Sequence, residues 1–236
     1  MATKGNAVKF GEATDNRDST AGGFSSNTRG VFGGGNSPDT ASSNVIEFIT
    51  IASEGNATDF GDLTVARISG GGASSKTRGL FCGGYGYPGS VVQTNVIDFV
   101  TIATTANATD FGDLTDSAAW GAKGASSSTR GIRMGGYPNN NKIDYVEIDS
   151  LGNAIDFGNL TDARYSMGVL SSPTKIFGAG GQAGSTQYNT IDMITTASKG
   201  DSIDTVSYTH LRAHETSLHL LCRLLLEKKR VGGGGG

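Results

Sequence analysis

The sequence predicts an all-β fold made of about four copies of a small antiparallel sheet. A short phrase recurs along the chain, as "KFGEAT", twice as "DFGDLT", and as "DFGNLT". Its central phenylalanines, Phe10, Phe60, Phe111 and Phe157, are separated by 50, 51 and 46 residues. The segments between them are rich in glycine and β-branched residues. A repeat of roughly fifty residues with this composition is typical of the blades of a β-propeller.

The second repeat contains every predicted element in order. Runs of β-branched and aromatic residues indicate strands, and clusters of small polar residues and glycine indicate turns. The plan is a first strand from 66–68 into the glycines 70–72, a turn at 74–77, a second strand at 77–84, a variable loop, a third strand at 95–102 and a short outer strand at 110–115. Four short strands joined by turns make one blade.

The third strand is apolar on both sides of its pleat. Val96, Val100 and Ile102 share one face, and Ile97 and Phe99 share the other. A sheet with one solvated face would alternate apolar and polar residues. We therefore expect each blade to be covered on both faces by its neighbours.

A pair of glycines ends each predicted second strand. Glycine allows positive φ and close approach of backbones where inner strands crowd. The four pairs are Gly33-Gly34, Gly83-Gly84, Gly135-Gly136 and Gly180-Gly181.

This order of strand, double glycine, variable loop and aromatic strands resembles the kelch repeat. The resemblance covers essentially all of residues 1–204 and implies a kelch-like propeller. The kelch tyrosine position is held by Phe48, Phe99, Tyr145 and Met193, the tryptophan position by the four repeat phenylalanines, and the arginine before the inner strand by Arg17, Arg67 and Arg164. The third repeat departs from this pattern, because "DSAAW" at 116–120 has no arginine. The wording of the repeat resembles more narrowly the kelch-type repeats of tail-fibre and other virion proteins of marine bacteriophages.

Each repeat also combines a base and an acid at fixed positions. Opposite charges on neighbouring strands stabilise a sheet modestly. We therefore expect some of them to pair across adjacent strands or with an acid of the "DFGD" strand. The bases are Arg29, Arg78, Arg130 and Lys175, and the acids are Glu47, Asp98, Asp144 and Asp192.

The repeat breaks at Thr205, where an aromatic residue is expected. The following string "TVSYTHLRAHET" resembles a translated transposase sequencing adapter, "CRLLLEKK" resembles its distal part, and Gly232–Gly236 resembles a poly-G read. We expect residues 205–236 to be adapter read-through rather than a native domain. The alternative is a genuine amphipathic helix over 219–229. Since Met1 aligns with Ile102, we expect these blades to belong to a larger propeller, as an open arc. The alternative is that the four units close as a small four-bladed ring.

Composition argues against most catalytic chemistry. The chain has 236 residues and a formal net charge of −3, and its three histidines all lie beyond residue 204. Without histidine, residues 1–204 lack the usual base of a nucleophilic triad and the nitrogen ligands of a zinc site. We expect no cofactor, no metal and no enzyme activity, no nucleic-acid partner and no membrane span. Cys82 is interpreted as a small buried hydrophobe, and calcium at Asp110, Asp113 and Asp116 stays an open alternative.

The loops after the double glycines differ most between repeats. Variable loops on a rigid scaffold are typical of a recognition surface. Candidate residues for stacking on or hydrogen bonding to a ligand are Tyr85, Tyr87, Tyr137, Asn139, Asn140 and Tyr188.

The expected function is that of a non-enzymatic binding or structural propeller. The phage resemblance implies a virion location, contact with a host-surface glycan or protein, and other virion proteins as partners. One alternative is a sugar-active enzyme resembling the galactose-oxidase group, with catalytic residues outside this chain. A second is a kelch scaffold for protein partners. Fold alone does not decide among them.

Overall fold

The computed structural model describes residues 7–38, 41–86, 92–117 and 120–204. In this part of the chain there is no helix, and the strands form four four-stranded antiparallel sheets and two short ribbons. We name the sheets blades 1 to 4 in chain order. The arrangement is a four-bladed β-propeller, which confirms the predicted fold class and is consistent with a kelch-like repeat. The expected adapter segment at 205–236 lies outside the described residues.

Strands within each blade follow the chain order from the first, inner strand to the fourth, outer strand. Blade 1 contains Gly22–Ser25, Arg29–Gly33, Val45–Thr50 and Thr58–Asp62; blade 2 contains Gly71–Ser74, Arg78–Cys82, Val96–Thr101 and Thr109–Asp113. Blade 3 contains Lys123–Ser126, Arg130–Gly136, Asn140–Glu147 and Ile155–Asn159; blade 4 contains Gly168–Ser171, Lys175–Ala179, Ile191–Thr195 and Ile203–Asp204. The ribbons pair Tyr85–Gly86 with Val92–Gln93, and Gln182–Ala183 with Thr186–Gln187.

The predicted start of the first strand is wrong. The strand begins at Gly71, not at residue 66, because the preceding residues bond to a loop of blade 1 and to the Tyr85–Gly86 ribbon instead of to the second strand of blade 2. The Arg67 amide donates to the carbonyl of Ser43, and the Ile68 amide donates to the carbonyl of Tyr85. Residues 66–68 are therefore a connection that carries Arg67 into the interior.

Apolar clusters fill the junctions between consecutive blades. Ile97 lies in the cluster between blades 2 and 3, whereas Val100 and Ile102 lie in the cluster between blades 1 and 2. The predicted two-sided apolarity of the third strand is confirmed. A third cluster joins blades 3 and 4, and among the described residues no apolar cluster joins blade 4 to blade 1.

The outer strands of blades 1, 2 and 3 are each bonded to the following blade. The Gly152 amide donates to the Phe111 carbonyl at 3.0 Å, and the Asp113 amide donates to the Asn153 side chain at 3.0 Å. Gly112 makes this approach possible: its φ is +144°, and a Cβ there would lie 2.6 Å from the Gly152 carbonyl. A glycine is therefore needed at this position of the repeat phrase.

The inner strands of consecutive blades also approach closely. A Cβ on Gly71 would lie 2.6 Å from the Gly124 amide nitrogen, so only glycine permits this spacing between blades 2 and 3. The predicted role of the double glycines is confirmed at the end of the second strand of blade 2, where Gly83 and Gly84 have φ values of +59° and +111°.

The described residues contain no helix with the length and hydropathy needed to span a bilayer.

Candidate functional site

The blades present different connections at their two ends. Because the strands are antiparallel, the loops between second and third strands share one end with the connections between blades. We call this end the loop face. The turns between first and second strands and between third and fourth strands form the opposite end, which we call the turn face.

Four aromatic rings meet on the loop face. Trp120 is at the centre, with ring-centroid distances of 4.5 Å to Tyr137, 5.4 Å to Tyr85 and 5.8 Å to Tyr165. Tyr137 also packs edge-on against Tyr165 at 5.3 Å. We call these four residues the aromatic cluster. Its members come from blades 2, 3 and 4, so the cluster spans two blade junctions.

Isolated bridges bring the rings together. Trp120 precedes the first strand of blade 3 and pairs with Tyr137, which follows the second strand of the same blade. The corresponding bridges in blades 2 and 4 are Ile68 with Tyr85 and Tyr165 with Gln182. The same bridge thus places at least one aromatic residue from each of three blades on the loop face.

The cluster is only partly buried. Tyr165 is 7% exposed and forms its floor, Tyr85 and Trp120 are half-buried, and Tyr137 is 37% exposed. Aromatic residues with an apolar ring and a polar edge suit a surface that is covered by a ligand.

The structure brings two of the predicted binding residues together, Tyr85 and Tyr137. Tyr188 lies elsewhere, with its ring 6.0 Å from the Arg164 guanidinium, and Tyr87 lies outside the described residues. Asn139 is exposed in the turn after Tyr137. The side chain of Asn140 is bonded at both ends: its amide nitrogen donates to Asp116 at 3.0 Å, and its oxygen accepts from the Lys142 amide.

The sequence interpretation missed Trp120 and Tyr165. Trp120 is the only tryptophan of the chain, and it stands in the segment where the third repeat loses its arginine. The missing arginine was the sequence signal for this site, because a departure from the repeat marks a blade that differs locally from the others.

Beneath the loop face, each blade contains a buried ion pair. The Arg67 guanidinium lies 2.9 Å from the Asp98 carboxylate, and both side chains are fully buried. The Thr64 hydroxyl, from the end of the preceding blade, donates to Asp98 at 2.6 Å. Burial lowers the pKa of Arg67, and the Asp98 charge opposes that shift. Equivalent pairs are Arg17 with Glu47 and Arg164 with Asp192.

Blade 3 builds the same pair from a different position. Its acid, Asp144, pairs with Arg133, which belongs to the second strand instead of the connection before the first strand. Arg133 also lies 3.0 Å from Asp116. Burial of the Asp116 carboxyl opposes ionisation, but the charge of Arg133 and bonds from Asn140 and Lys142 outweigh it and lower the pKa of Asp116.

The prediction that some of the repeated charges pair across adjacent strands is confirmed for Arg130, whose Nε lies 2.7 Å from the Glu147 carboxylate on the neighbouring strand. Among the described residues, none of the four named bases pairs with one of the four named acids. Three of these bases stack on the aromatic residue of their own third strand. The distance from guanidinium carbon to ring centroid is 4.4 Å for Arg29 on Phe48, 4.6 Å for Arg78 on Phe99 and 4.7 Å for Arg130 on Tyr145. Their second role is to join blades. Each donates to a carbonyl of the following blade, Arg29 to Ile102, Arg78 to Ile148 and Arg130 to Thr196.

The remaining candidate chemistry is limited. Cys82 is buried, as expected, and burial, with Arg67 and Arg133 opposing it, raises the pKa of its thiol to about 12. Among the described residues, no group of three or more His, Cys, Asp and Glu could hold a metal ion. Asp116 is engaged by Arg133, so the structure does not assemble the alternative calcium set.

The turn face carries a cavity of about 660 Å³ at the centre of the propeller. The turns between first and second strands of all four blades line it, each contributing the repeated Ser-Ser pair. Several hydroxyls are occupied: Ser75 Oγ, for example, accepts bonds from the amides of Thr77 and Arg78. These serines therefore shape the turns, and the cavity is the space that they enclose.

No protein-family model matches the chain, and no curated protein matches its sequence.

Proposed function

We propose that the chain is a non-enzymatic binding propeller that contacts a host-surface glycan through the aromatic cluster. The cluster is the observation that carries the proposal. Trp120 and Tyr137 offer partly exposed rings, and sugars present flat faces of C–H groups that pack on such rings. Polar groups beside the rings would bond the sugar hydroxyls, as in other ligand sites that combine apolar walls with a few polar groups.

The surroundings of the cluster favour a preformed site. The Gln93 amide, in the orientation that satisfies both its polar atoms, donates to the carbonyls of Ser117 at 2.6 Å and Tyr137 at 3.0 Å. This contact links the blade 2 ribbon to the loop of blade 3. A ligand would therefore meet rings that are already held in place, which reduces the ordering cost of binding.

The resemblance of the repeats to those of phage tail-fibre and virion proteins supports a role in host attachment. A propeller suits that role because loops can vary on a rigid scaffold. In this proposal the chain is a part of the virion, and bacterial surface saccharides are its ligands.

A glycan array carrying bacterial surface saccharides tests the proposal. We expect the chain to retain a subset of them, and Trp120→Ala or Tyr137→Ala to weaken binding by about tenfold or more, as for a central aromatic contact. Tyr188→Ala is the matched control, since Tyr188 lies outside the cluster, and should bind normally. Because Trp120 is the only tryptophan, titration of a retained saccharide should also shift the intrinsic fluorescence of the chain.

Three results would contradict the proposal. The first is an array without binding, and the second is equal binding by Trp120→Ala and the unaltered chain. The third is conversion of the retained saccharide, detected by mass spectrometry, which would indicate an enzyme instead.

A further inference from the structure

Within the described part of the chain, blades 1 and 4 each present one face that no other blade covers, and the two faces are chemically complementary. In each blade, apolar residues at one register position of the first three strands form a row that faces the following blade. The rows are Phe24, Val31 and Phe48 in blade 1; Ala73, Leu80 and Phe99 in blade 2; Ala125, Ile132 and Tyr145 in blade 3; and Leu170, Phe177 and Met193 in blade 4. We call the last of these the blade 4 row.

The blade 4 row lacks the cover that the other rows have. Leu170 is 72% exposed, whereas the equivalent alanines of blades 2 and 3 are buried and Phe24 is half-buried. Phe177 is half-buried, whereas the equivalent Leu80 and Ile132 are fully buried. Met193 is buried like Tyr145. The exposure is thus concentrated on the inner two strands of the blade.

The opposite face of each blade covers the row of the preceding blade. In blade 2 this covering face consists of Phe81, Val100 and Ile102, which pack into the cluster with blade 1. The equivalent residues of blade 1 are Phe32, Ile49 and Ile51. Ile51 is 44% exposed and Phe32 and Ile49 are half-buried, whereas Phe81, Val100 and Ile102 are almost completely buried.

Two further residues at these faces are more exposed than their equivalents in the other repeats. Phe10 is 37% exposed, while Phe60, Phe111 and Phe157 are buried. Phe10 is already placed for its role, because its carbonyl accepts a bond from the Gly55 amide just as Phe111 accepts one from Gly152. Lys175 holds the position of Arg29, Arg78 and Arg130 and is exposed.

We propose that the blade 4 row docks on the covering face of blade 1 in a second copy of the chain. A second copy is the partner that the observations favour, since the described residues of one chain carry both halves of a junction that they already form three times. In this assembly Lys175 lies near the Ile51 carbonyl of the second copy, as Arg29 lies near that of Ile102. The contact is heterologous, so copies can close into a ring or extend into a series.

Docking requires one local rearrangement. Val8 and Lys9 of the second copy and Ile203 and Asp204 of the first occupy equivalent positions of the repeat. The residues around Phe10 already bond to blade 1, so we expect the two-residue outer strand of blade 4 to give way. Phe10 of the second copy then packs beside Met193, as Phe60 packs beside Phe48 at 6.0 Å.

Light scattering coupled to size-exclusion chromatography, over a concentration series of the full chain, tests the inference. We expect the mass of two copies or more, and the mass of one copy for both Leu170→Asp and Ile51→Asp. Leu151→Asp is the matched control: Leu151 is 59% exposed but lies in a turn of blade 3, so this variant should keep the mass of the unaltered chain. Circular dichroism should show the same β signal for all variants.

A mixture of the two single-copy variants gives the decisive result. Ile51→Asp retains the blade 4 row and Leu170→Asp retains the covering face, so together they can form one intact junction. We expect the mixture to show the mass of two copies although each variant alone shows one. A single-copy mass for the unaltered chain, an unchanged mass for Leu170→Asp, or no association in the mixture would each overturn the inference.

Discussion

Arg133 and Asp144 face each other across the second and third strands of blade 3, where blades 1 and 2 place a phenylalanine opposite the acid. In those blades the guanidinium reaches the acid from the connection before the first strand. Blade 3 therefore keeps the buried ion pair and changes the part of the backbone that supplies its positive charge. The acid needs a guanidinium at this point in space, since an unpaired buried carboxylate is costly.

Replacement of Arg133 by alanine should strongly destabilise the protein. The change leaves Asp144 buried without its counter-charge, and we expect the free energy of unfolding to fall by about 3–5 kcal/mol. Urea denaturation measures the change. Arg130→Ala, which removes a partly exposed stacking cation, should cost roughly 1 kcal/mol. Adding Asp144→Ala to Arg133→Ala should recover part of the loss, and additive losses in this double-mutant cycle would contradict the pairing.

The inner strands predict a position-dependent cost for alanine. A Cβ on Gly72 would lie 2.4 Å from the carbonyl oxygen of Gly23 in blade 1 and 2.7 Å from its amide nitrogen. We expect Gly72→Ala to destabilise the protein by about 1–3 kcal/mol through overpacking. Thermal unfolding measures the shift. Gly55→Ala is the control, because a Cβ there has no neighbour within 4 Å, and an equal shift for both variants would contradict the close packing.

The carboxyl of Asp116 should contribute to acid sensitivity. Its pKa in the folded protein is lowered from an ordinary value of about 3.8, so its ionised form stabilises the folded state. That contribution is complete above the ordinary pKa and is lost as the pH falls through the lowered value. We expect Asp116→Asn to be less stable than the unaltered protein at neutral pH, and the difference to shrink below about pH 4. Urea denaturation at a series of pH values measures the difference, and a constant gap would contradict the shift.

The Cys82 thiol should resist alkylation. A pKa of about 12 leaves almost no thiolate at pH 8, and the side chain is buried. We expect iodoacetamide to leave Cys82 unmodified in the folded protein and to modify it in concentrated urea. Peptide mass mapping distinguishes this thiol from Cys222. Rapid modification of Cys82 under native conditions would show that the junction between blades 2 and 3 opens readily.

The repeat period and the four-strand plan of each blade were predictable from the sequence because both are local properties. The recurrence of the phenylalanines marks the outer strands, and the two-sided apolarity of residues 96–102 follows from the period of a strand. The glycine pairs likewise predicted positive φ, which is found at Gly83 and Gly84.

The ion pairs and the aromatic cluster were not predictable in the same way. Arg78 and Asp98 lie in adjacent strands, yet Asp98 pairs with Arg67. That pairing depends on the path of a connection whose sequence predicts a strand. The contact of Trp120 with Tyr85 and Tyr165 joins three blades, and it depends on how the blades pack around their axis. Such contacts follow from the assembled fold and not from spacing along the chain.

The bonds from the outer strands of blades 1, 2 and 3 to the next blade have a mechanical consequence. A load applied to one blade passes to its neighbour along the circumference, through contacts such as that between Phe111 and Gly152. Detachment of one blade therefore requires these peripheral bonds to break in addition to the loss of the apolar packing at the junction. The rim of the propeller thus reinforces the contacts that its interior already makes.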